Sequence, residues 1–315
     1  VTPVTPGVNS GEATGVSEGR KAGAGLTARR REKENSMRYH VLPKALGLTA
    51  LILAFALPAT AQDGRGVLTA PGTEGLSVER REIFPVGGQI VITRPGSYRL
   101  LGGFRATEAA PAIRIAAEGV TLDLGGFTVT GPGGKKGTGL LVEGASSVRV
   151  ANGAFAAFGL GVQVVGSTNV SLSSLRVDGQ DLGGSPPDVE IGVMILDSRG
   201  VVLESSTITR TFLGVFVRGA GSGGNRIEGN TLAAGANGGL GICYNPAPGL
   251  DDGPQGDLVA RNLVSRYGKG IQTSPASVGN VFRDNVVAHT GPAAIEEMTG
   301  GSNAFAGNIV QQIAP

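Results

Sequence analysis

Tryptophan is absent from the 315 residues, cysteine occurs once, histidine occurs twice, and aromatic side chains make up 4% of the chain. One cysteine, Cys243, excludes an intramolecular disulfide. With no Cys-x-x-Cys pair and no histidine cluster, a transition-metal site of the usual nitrogen and sulfur type has nothing to draw on. A Ser-His-Asp triad is equally short of parts, because His289 is the only histidine after residue 61. Sugar stacking, a task suited to Trp and Tyr, would fall to Tyr98, Tyr244 and Tyr267. Helical spacing is missing as well, since no segment of convincing length between 110 and 315 repeats its apolar residues every three to four positions. Glycine, by contrast, is abundant at 54 residues, which suits many tight turns between short strands.

The first 61 residues read differently from the rest. Residues 1–36 carry no periodic apolar pattern and end in the charged run Arg29–Glu34, which cannot bury enough surface to offset its ordering entropy. From Met37 the pattern becomes that of a secretory signal: Arg38 and Lys44, then the apolar run Ala45–Leu57, then Ala59-Thr60-Ala61 as a cleavage site before Gln62. The apolar run is short against the roughly 20 residues that a bilayer span needs. Cleavage near Ala61 and release, secreted or periplasmic, are therefore expected, with no stable membrane span in the mature form. Met37 is the expected start, and 1–36 upstream sequence or a disordered segment. Residues 62–315 hold 19 Lys and Arg against 21 Asp and Glu, a net charge of −2. The basic balance of the whole chain thus comes from its front end, and nothing favours a nucleic-acid partner.

Downstream, apolar residues recur in a fixed figure. Pairs five positions apart run Leu122 and Phe127, Val150 and Phe155, Leu172 and Val177, Leu203 and Ile208, Ile227 and Leu232, Val259 and Val264, Phe282 and Val287, Phe305 and Val310. Each pair follows a third apolar anchor: Ile113, Leu140, Val162, Val193, Val215, Ile242, Ile271 and Ile295 in turn. Alternation around the anchors, as in Val215-Phe216-Val217, means one buried face per strand. A three-strand unit repeating at this length is a solenoid whose coils stack their apolar sides. Gly139, Gly161, Gly192, Gly214, Gly241 and Gly270 precede the first strand, where a turn needs positive φ or close backbone approach. Asn230, Asn262, Asn285 and Asn308, with Ser206 before them, stand three residues after the second anchor. They should stack at successive rungs about 4.8 Å apart and bond one to the next.

The phrase Gly119-Val120-Thr121-Leu122-Asp123-Leu124-Gly125-Gly126-Phe127, followed by coils of the form Gly-Val-x-Val and Asn-x-Val, resembles the right-handed parallel β-helix proteins of the pectate-lyase-like superfamily. The likeness covers roughly 83–315 and rests on repeat shape, so it specifies a fold more than a chemistry. It implies an all-β, right-handed parallel β-helix solenoid of about eight to nine coils over 83–315. An N-terminal cap at 83–104 and a linker at 62–82 would precede the coils. It also implies that a substrate groove, where there is one, lies over the first strand of each coil.

The outward residues of those strands, one after each anchor, read Arg114, Leu141, Gln163, Met194, Phe216, Cys243, Gln272 and Glu296. This row is largely apolar in its middle, and Leu141, Met194 and Phe216 mark a candidate protein contact. Chemistry is then sought in the long loops. Asp178–Glu190 contains Asp178, Asp181, Asp188 and Glu190; Asn245–Asp257 contains Asp251, Asp252 and Asp257. Both should border the first-strand face. As catalytic candidates we take Asp181, Asp188, Asp251 and Asp252, an acid and base set of the kind that flanks a glycosidic bond. Arg218 is added to orient an acidic sugar or abstract a proton. As ligands for a Ca²⁺ ion, the one cofactor under consideration, we take Asp178, Glu190 and Asp257. Asp, Gly and Pro are also ordinary turn formers, so these loops have a purely structural explanation too. The reading is an exported β-helix protein that binds a polymer, with polysaccharide the leading partner. A polysaccharide lyase or glycoside hydrolase is the alternative, and a structural or protein-contact solenoid the third.

Overall fold

The computed structural model describes residues 80–85, 88–107, 110–182, 190–244, 253–298 and 302–312. Every pairing between strands in this span is parallel, and the chain passes from one sheet to a second and a third before returning one rung further on. This is a parallel β-helix, in keeping with the eight to nine coils expected. The first sheet runs from Ile90–Ile92 through Ile191–Leu196 to the C-terminal part of Val286–Glu297. The second runs from Arg80–Ile83 to Ser302–Ala306, and the third from Phe104–Arg105 to Ile309–Gln312.

Register follows the anchors. Ile113 pairs Leu140, and the column continues through Val162, Val193, Val215, Ile242 and Ile271 to Ile295. The second-sheet column from Leu122 to Phe305 is likewise unbroken. Most of these side chains are fully buried, and each contributes about 1.5–3 kcal/mol of apolar burial. The third column departs from expectation at one place. Val129, not Phe127, pairs Phe155, and Phe127 is left exposed. Gly125 and Gly126, both at positive φ, lengthen that bend by two residues, so the five-residue spacing fails there alone.

The first-sheet glycines are needed for close approach. None of Gly139, Gly161, Gly192, Gly214, Gly241 or Gly270 has positive φ. A Cβ on Gly192 would stand 2.4 Å from Ile208 Cγ2 and 2.5 Å from the Gly214 carbonyl. The same kind of collision, with a third-sheet anchor and the next glycine, recurs at Gly139, Gly161 and Gly241. The missing side chains are thus the space that the third column fills.

The asparagine stack forms as expected. Asn230 Nδ2 donates to Asn262 Oδ1 at 3.1 Å, Asn262 Nδ2 to Asn285 Oδ1 at 3.0 Å, and Asn285 Nδ2 to Asn308 Oδ1 at 2.9 Å. Each oxygen also accepts the backbone N–H of the preceding rung, beginning with Ser206. A second stack lies at the bend between first and second sheets: Asn225, Asp257, Asn280 and Asn303. Ser167, Ser198 and Ser222 form a third, each hydroxyl accepting from the backbone of the coil before. Buried bend amides are satisfied throughout these stacks without a helix or crossing strand.

At the N-terminal side, the strands expected as a cap are in register with the coil that follows: Ile90 on Ile113, Tyr98 on Leu122, Phe104 on Val129. Arg80–Ile83 then adds one strand beyond, on Ser97–Leu100, so ordered sheet begins inside the last residues assigned to the linker. The expected segments 1–36 and 37–61, and most of 62–82, lie outside the described residues. Among the described residues no helix is long and apolar enough to cross a membrane.

Candidate functional site

Outward side chains of the first sheet form three parallel rows because that face is pleated and each coil repeats its neighbour's register. The middle row is the predicted one, Arg114 to Glu296, in register from coil to coil. Beside it run Leu160, Ile191, Leu213, Leu240 and Lys269, and on its other side Val165, Leu196 and Arg218. Leu141, Met194 and Phe216 are half-buried, while Cys243 is fully buried. Burial pushes the Cys243 thiol up, against a smaller opposing pull from Lys269, so it stays protonated and unreactive.

At its C-terminal end this apolar strip meets a polar group assembled across adjacent coils. Lys269 Nζ donates to Glu296 Oε2 at 2.6 Å, and Gln272 Nε2 donates to the same oxygen. The hydrogen bonds from Lys269 and then Gln272 hold the Glu296 carboxyl below the usual carboxylate range, more than offsetting burial. Glu296 is therefore an anion with its second oxygen available, next to a cation and an amide, on the edge of an apolar surface. Arg114 and Glu143 pair at the opposite end of the strip. Arg218 lies on the predicted face, and its guanidinium has no hydrogen-bond or ionic partner among the described residues.

The predicted acidic loops do something else. Asp178 points from the third sheet's outer side and accepts from Thr209 Oγ1 at 2.7 Å, Arg210 Nε at 2.8 Å and Arg210 Nη2 at 2.7 Å. Burial alone would raise its pKa, but the Arg210 and Thr209 bonds prevail and lower it. Asp181 fastens a turn two coils on, taking the N–H groups of Ala236 at 2.8 Å and Asn237 at 3.0 Å. Glu190 is fully buried and closes its own loop through the N–H groups of Gln180 at 2.7 Å and Leu182 at 3.0 Å. Asp257 belongs to the second asparagine stack, accepting from Asn225 and from Tyr244 Oη.

These placements correct the Ca²⁺ assignment. Asp178 and Glu190 sit where the third sheet passes into the first, whereas Asp257 sits where the first passes into the second. Between those edges lies the width of a six-residue strand such as Ile191–Leu196, roughly 20 Å. One ion cannot take ligands from both. No group of three or more metal-ligating side chains occurs among the described residues. Asp188, Asp251 and Asp252 lie outside the described residues, and Asp181 is committed to the turn at 236–237. Sequence reading missed Lys269 as the third member of the Glu296 group. The signal was available: Lys269 stands two positions before the anchor Ile271, with Gly270 between, in the row of Leu240 and Leu213.

Comparison with known proteins bears on the fold. Residues 112–310 match the family model described as the right handed beta helix region. No curated protein matches the sequence. Among solved structures, the endo-xylogalacturonan hydrolase from Aspergillus tubingensis is similar at 14% identity and a TM-score of 0.52, over 73% of this chain and 85% of that one. The alginate lyase from Paenibacillus sp. is similar at 14% identity and 0.50, over 71% and 97%. The Dettilon tailspike protein is similar at 12% identity and 0.50, over 74% of this chain, which spans about half the tailspike's length (55%). At such identities the likeness is one of fold. With the family model covering most of the described coils and the register as found, the chain belongs to the right-handed β-helix family.

Proposed function

We propose that the protein is exported, with its leader cleaved near Ala61, and binds a polysaccharide laid along the first-sheet face. The observation that carries this is the alignment of a half-buried apolar pair, Met194 and Phe216, with the Lys269–Gln272–Glu296 group along one register, the fully buried Cys243 occupying the rung between them. A sugar chain offers the same pairing of chemistry: C–H faces for the apolar row, and hydroxyls that donate to a carboxylate and accept from an ammonium or amide. The rung spacing, about 4.8 Å, is close to the length of one pyranose in an extended chain. The similar solved structures named above as an alginate lyase and an endo-xylogalacturonan hydrolase support a carbohydrate partner for this kind of scaffold.

The test is affinity electrophoresis of the purified chain through a panel of acidic and neutral polysaccharides, with product analysis by mass, with and without Ca²⁺. Retardation by at least one polymer is expected, with the polymer left intact. Free mobility on every polymer would overturn the reading. Fragments lacking one water would instead establish an eliminating lyase, and hydrolysed fragments a glycoside hydrolase. The pairing of Lys269 with Glu296 on the groove face favours this second reading. The half-buried Leu141, Met194 and Phe216 favour a third, a protein contact, which predicts a complex that Phe216→Asp dissociates.

A further inference from the structure

A different face carries a second constellation. On the outer side of the second sheet, Thr121, Arg149 and Ser171 are register neighbours on three successive coils. With Ser147 and Asn169 they line a shallow, open cleft of about 390 Å³, in which Thr121, Ser147, Arg149 and Asn169 are exposed. On this face Arg226 is paired with Glu228 and Arg283 with Asp284, while Arg99, near the N-terminal end, has no carboxylate partner among the described residues and no comparable set of hydroxyls beside it. The Arg149 guanidinium has no such partner among the described residues, and no carboxylate lines the cleft.

The bend next to it is unusual in the same two coils. Gly119, Ser147, Asn169, Gly200, Gly224, Gly256 and Gly279 occupy equivalent positions, all left-handed, with φ between +53° and +69°. Glycine is the residue that takes this geometry without strain. Among these seven left-handed positions only Ser147 and Asn169, on the two coils beside Arg149, carry side chains, and both are hydrogen-bonding ones. Other bends of the solenoid also hold left-handed Ser, Asn, Asp and Arg, so the geometry alone marks nothing. Its coincidence with an unpaired guanidinium and two flanking hydroxyls is what singles out this cleft. Each side chain lining it, Val148 apart, can donate a hydrogen bond, and the single charge is positive.

We propose that this cleft binds an oxyanion group, the carboxylate of a uronic acid or a sulfate ester, with Arg149 as the charged donor and Ser147, Ser171, Thr121 and Asn169 completing the shell. Guanidinium and hydroxyl donors suit both anions. The site is separate from the first-sheet face and does not depend on it.

The test is an NMR titration of the full chain with sodium glucuronate, with glucose 6-sulfate and with glucose, following the amides of residues 147, 149, 169 and 171. Saturable shifts with either acid and none with glucose are expected, the responding acid naming the anion. Arg149→Gln should weaken binding by about tenfold or more. Ser147→Gly combined with Asn169→Gly supplies a second readout. It relieves the bends, so thermal unfolding should not fall, while acid binding weakens. Absence of saturable shifts with both acids overturns the proposal, as does unchanged binding in both variants. Polysaccharide retention lost in a Glu296 variant and acid binding lost in an Arg149 variant report on the two faces independently.

Discussion

Asp257 accepts the backbone N–H of Asn225 at 2.8 Å and the Asn225 side-chain amide at 3.2 Å, so a carboxyl stands where Asn280 and Asn303 carry carboxamides. Burial pushes the Asp257 carboxyl above its ordinary value, and the bonds from Asn225 and Tyr244, with the Arg199 charge, recover only part of the penalty. Tyr244, also buried and driven upward by burial and by Asp257, stays a phenol that donates to it.

A raised carboxyl pKa means that the native state holds its proton more tightly than the unfolded chain does. Its contribution to stability is complete below the ordinary carboxyl value and is lost as pH rises through the raised native one. Asp257→Asn removes that loss and supplies an amide that can donate to Asn280, as Asn230 does to Asn262. The variant should melt higher than the parent at pH 7.5, and the gap should narrow toward pH 4. Each kcal/mol recovered corresponds to about 2–4 °C. Melting curves at both pH values check this; a lower melting point at pH 7.5 would refute it.

Asn262 holds four bonds: its Oδ1 serves the Asn230 N–H and amide, and its Nδ2 reaches Ile227 O at 2.8 Å and Asn285 Oδ1 at 3.0 Å. Asn262→Ala takes partners from the Asn230 N–H and amide and from Ile227 O on one neighbouring coil and from Asn285 Oδ1 on the other, and each buried group left unpaired costs about 1–3 kcal/mol. Urea unfolding should show a loss of about 3 kcal/mol or more. A loss under 1 kcal/mol would mean that water or a rotated neighbour replaces the rung.

Two glycines separate two mechanisms. Gly192→Ala drives a methyl into Ile208 and the Gly214 carbonyl and should cost about 1–3 kcal/mol as overpacking. Gly224→Ala meets nothing within 4 Å but sits at φ +63°, so its cost is the left-handed backbone alone, about 1–2 kcal/mol. Asparagine at 224 should be milder than alanine, as Asn169 already occupies the equivalent bend, whereas asparagine at 192 should be worse. Denaturant midpoints of the four variants test the contrast.

Glu296→Gln should leave the fold intact, because the Glu296 side chain is about one-third exposed (36%) and an ion pair that open is worth at most about 1 kcal/mol. Its effect should appear in polysaccharide retention, weakened by about tenfold where one charge-assisted contact is lost. The native carboxyl is held low, so on acidification retention should fall off at a lower pH than an ordinary glutamate would allow. Electrophoretic retardation stepped from pH 7 down through the carboxylate range measures this.

Much of the fold is legible because burial in a solenoid is periodic. A residue such as Val193 must be apolar at one offset in every coil, and the offset survives unless a bend changes length. Gly125-Gly126 changes one, and there the reading placed Phe127 inside when Val129 belongs there. The second asparagine stack was legible by the same arithmetic: Asn225, Asp257, Asn280 and Asn303 each stand two residues before a second-sheet anchor. Asp257 was instead read as a loop carboxylate, because an aspartate near a long insertion has the composition of a surface ligand and nothing local betrays its burial. The Lys269–Glu296 pair was harder, since its members lie on different coils 27 residues apart. Only the exact coil length brings them together.

The asparagine rungs all point one way. Each side-chain oxygen satisfies the backbone of the coil before it, and no coil's bend is satisfied by itself. A coil is therefore finished only by its successor. During synthesis from the N-terminus, the most recently laid turn is always the unfinished one, and each arrival locks the turn beneath it. The stack assembles as a ratchet with a direction, and removing coils from its C-terminal side reopens the last lock, whereas removing them from the N-terminal side leaves every remaining lock closed.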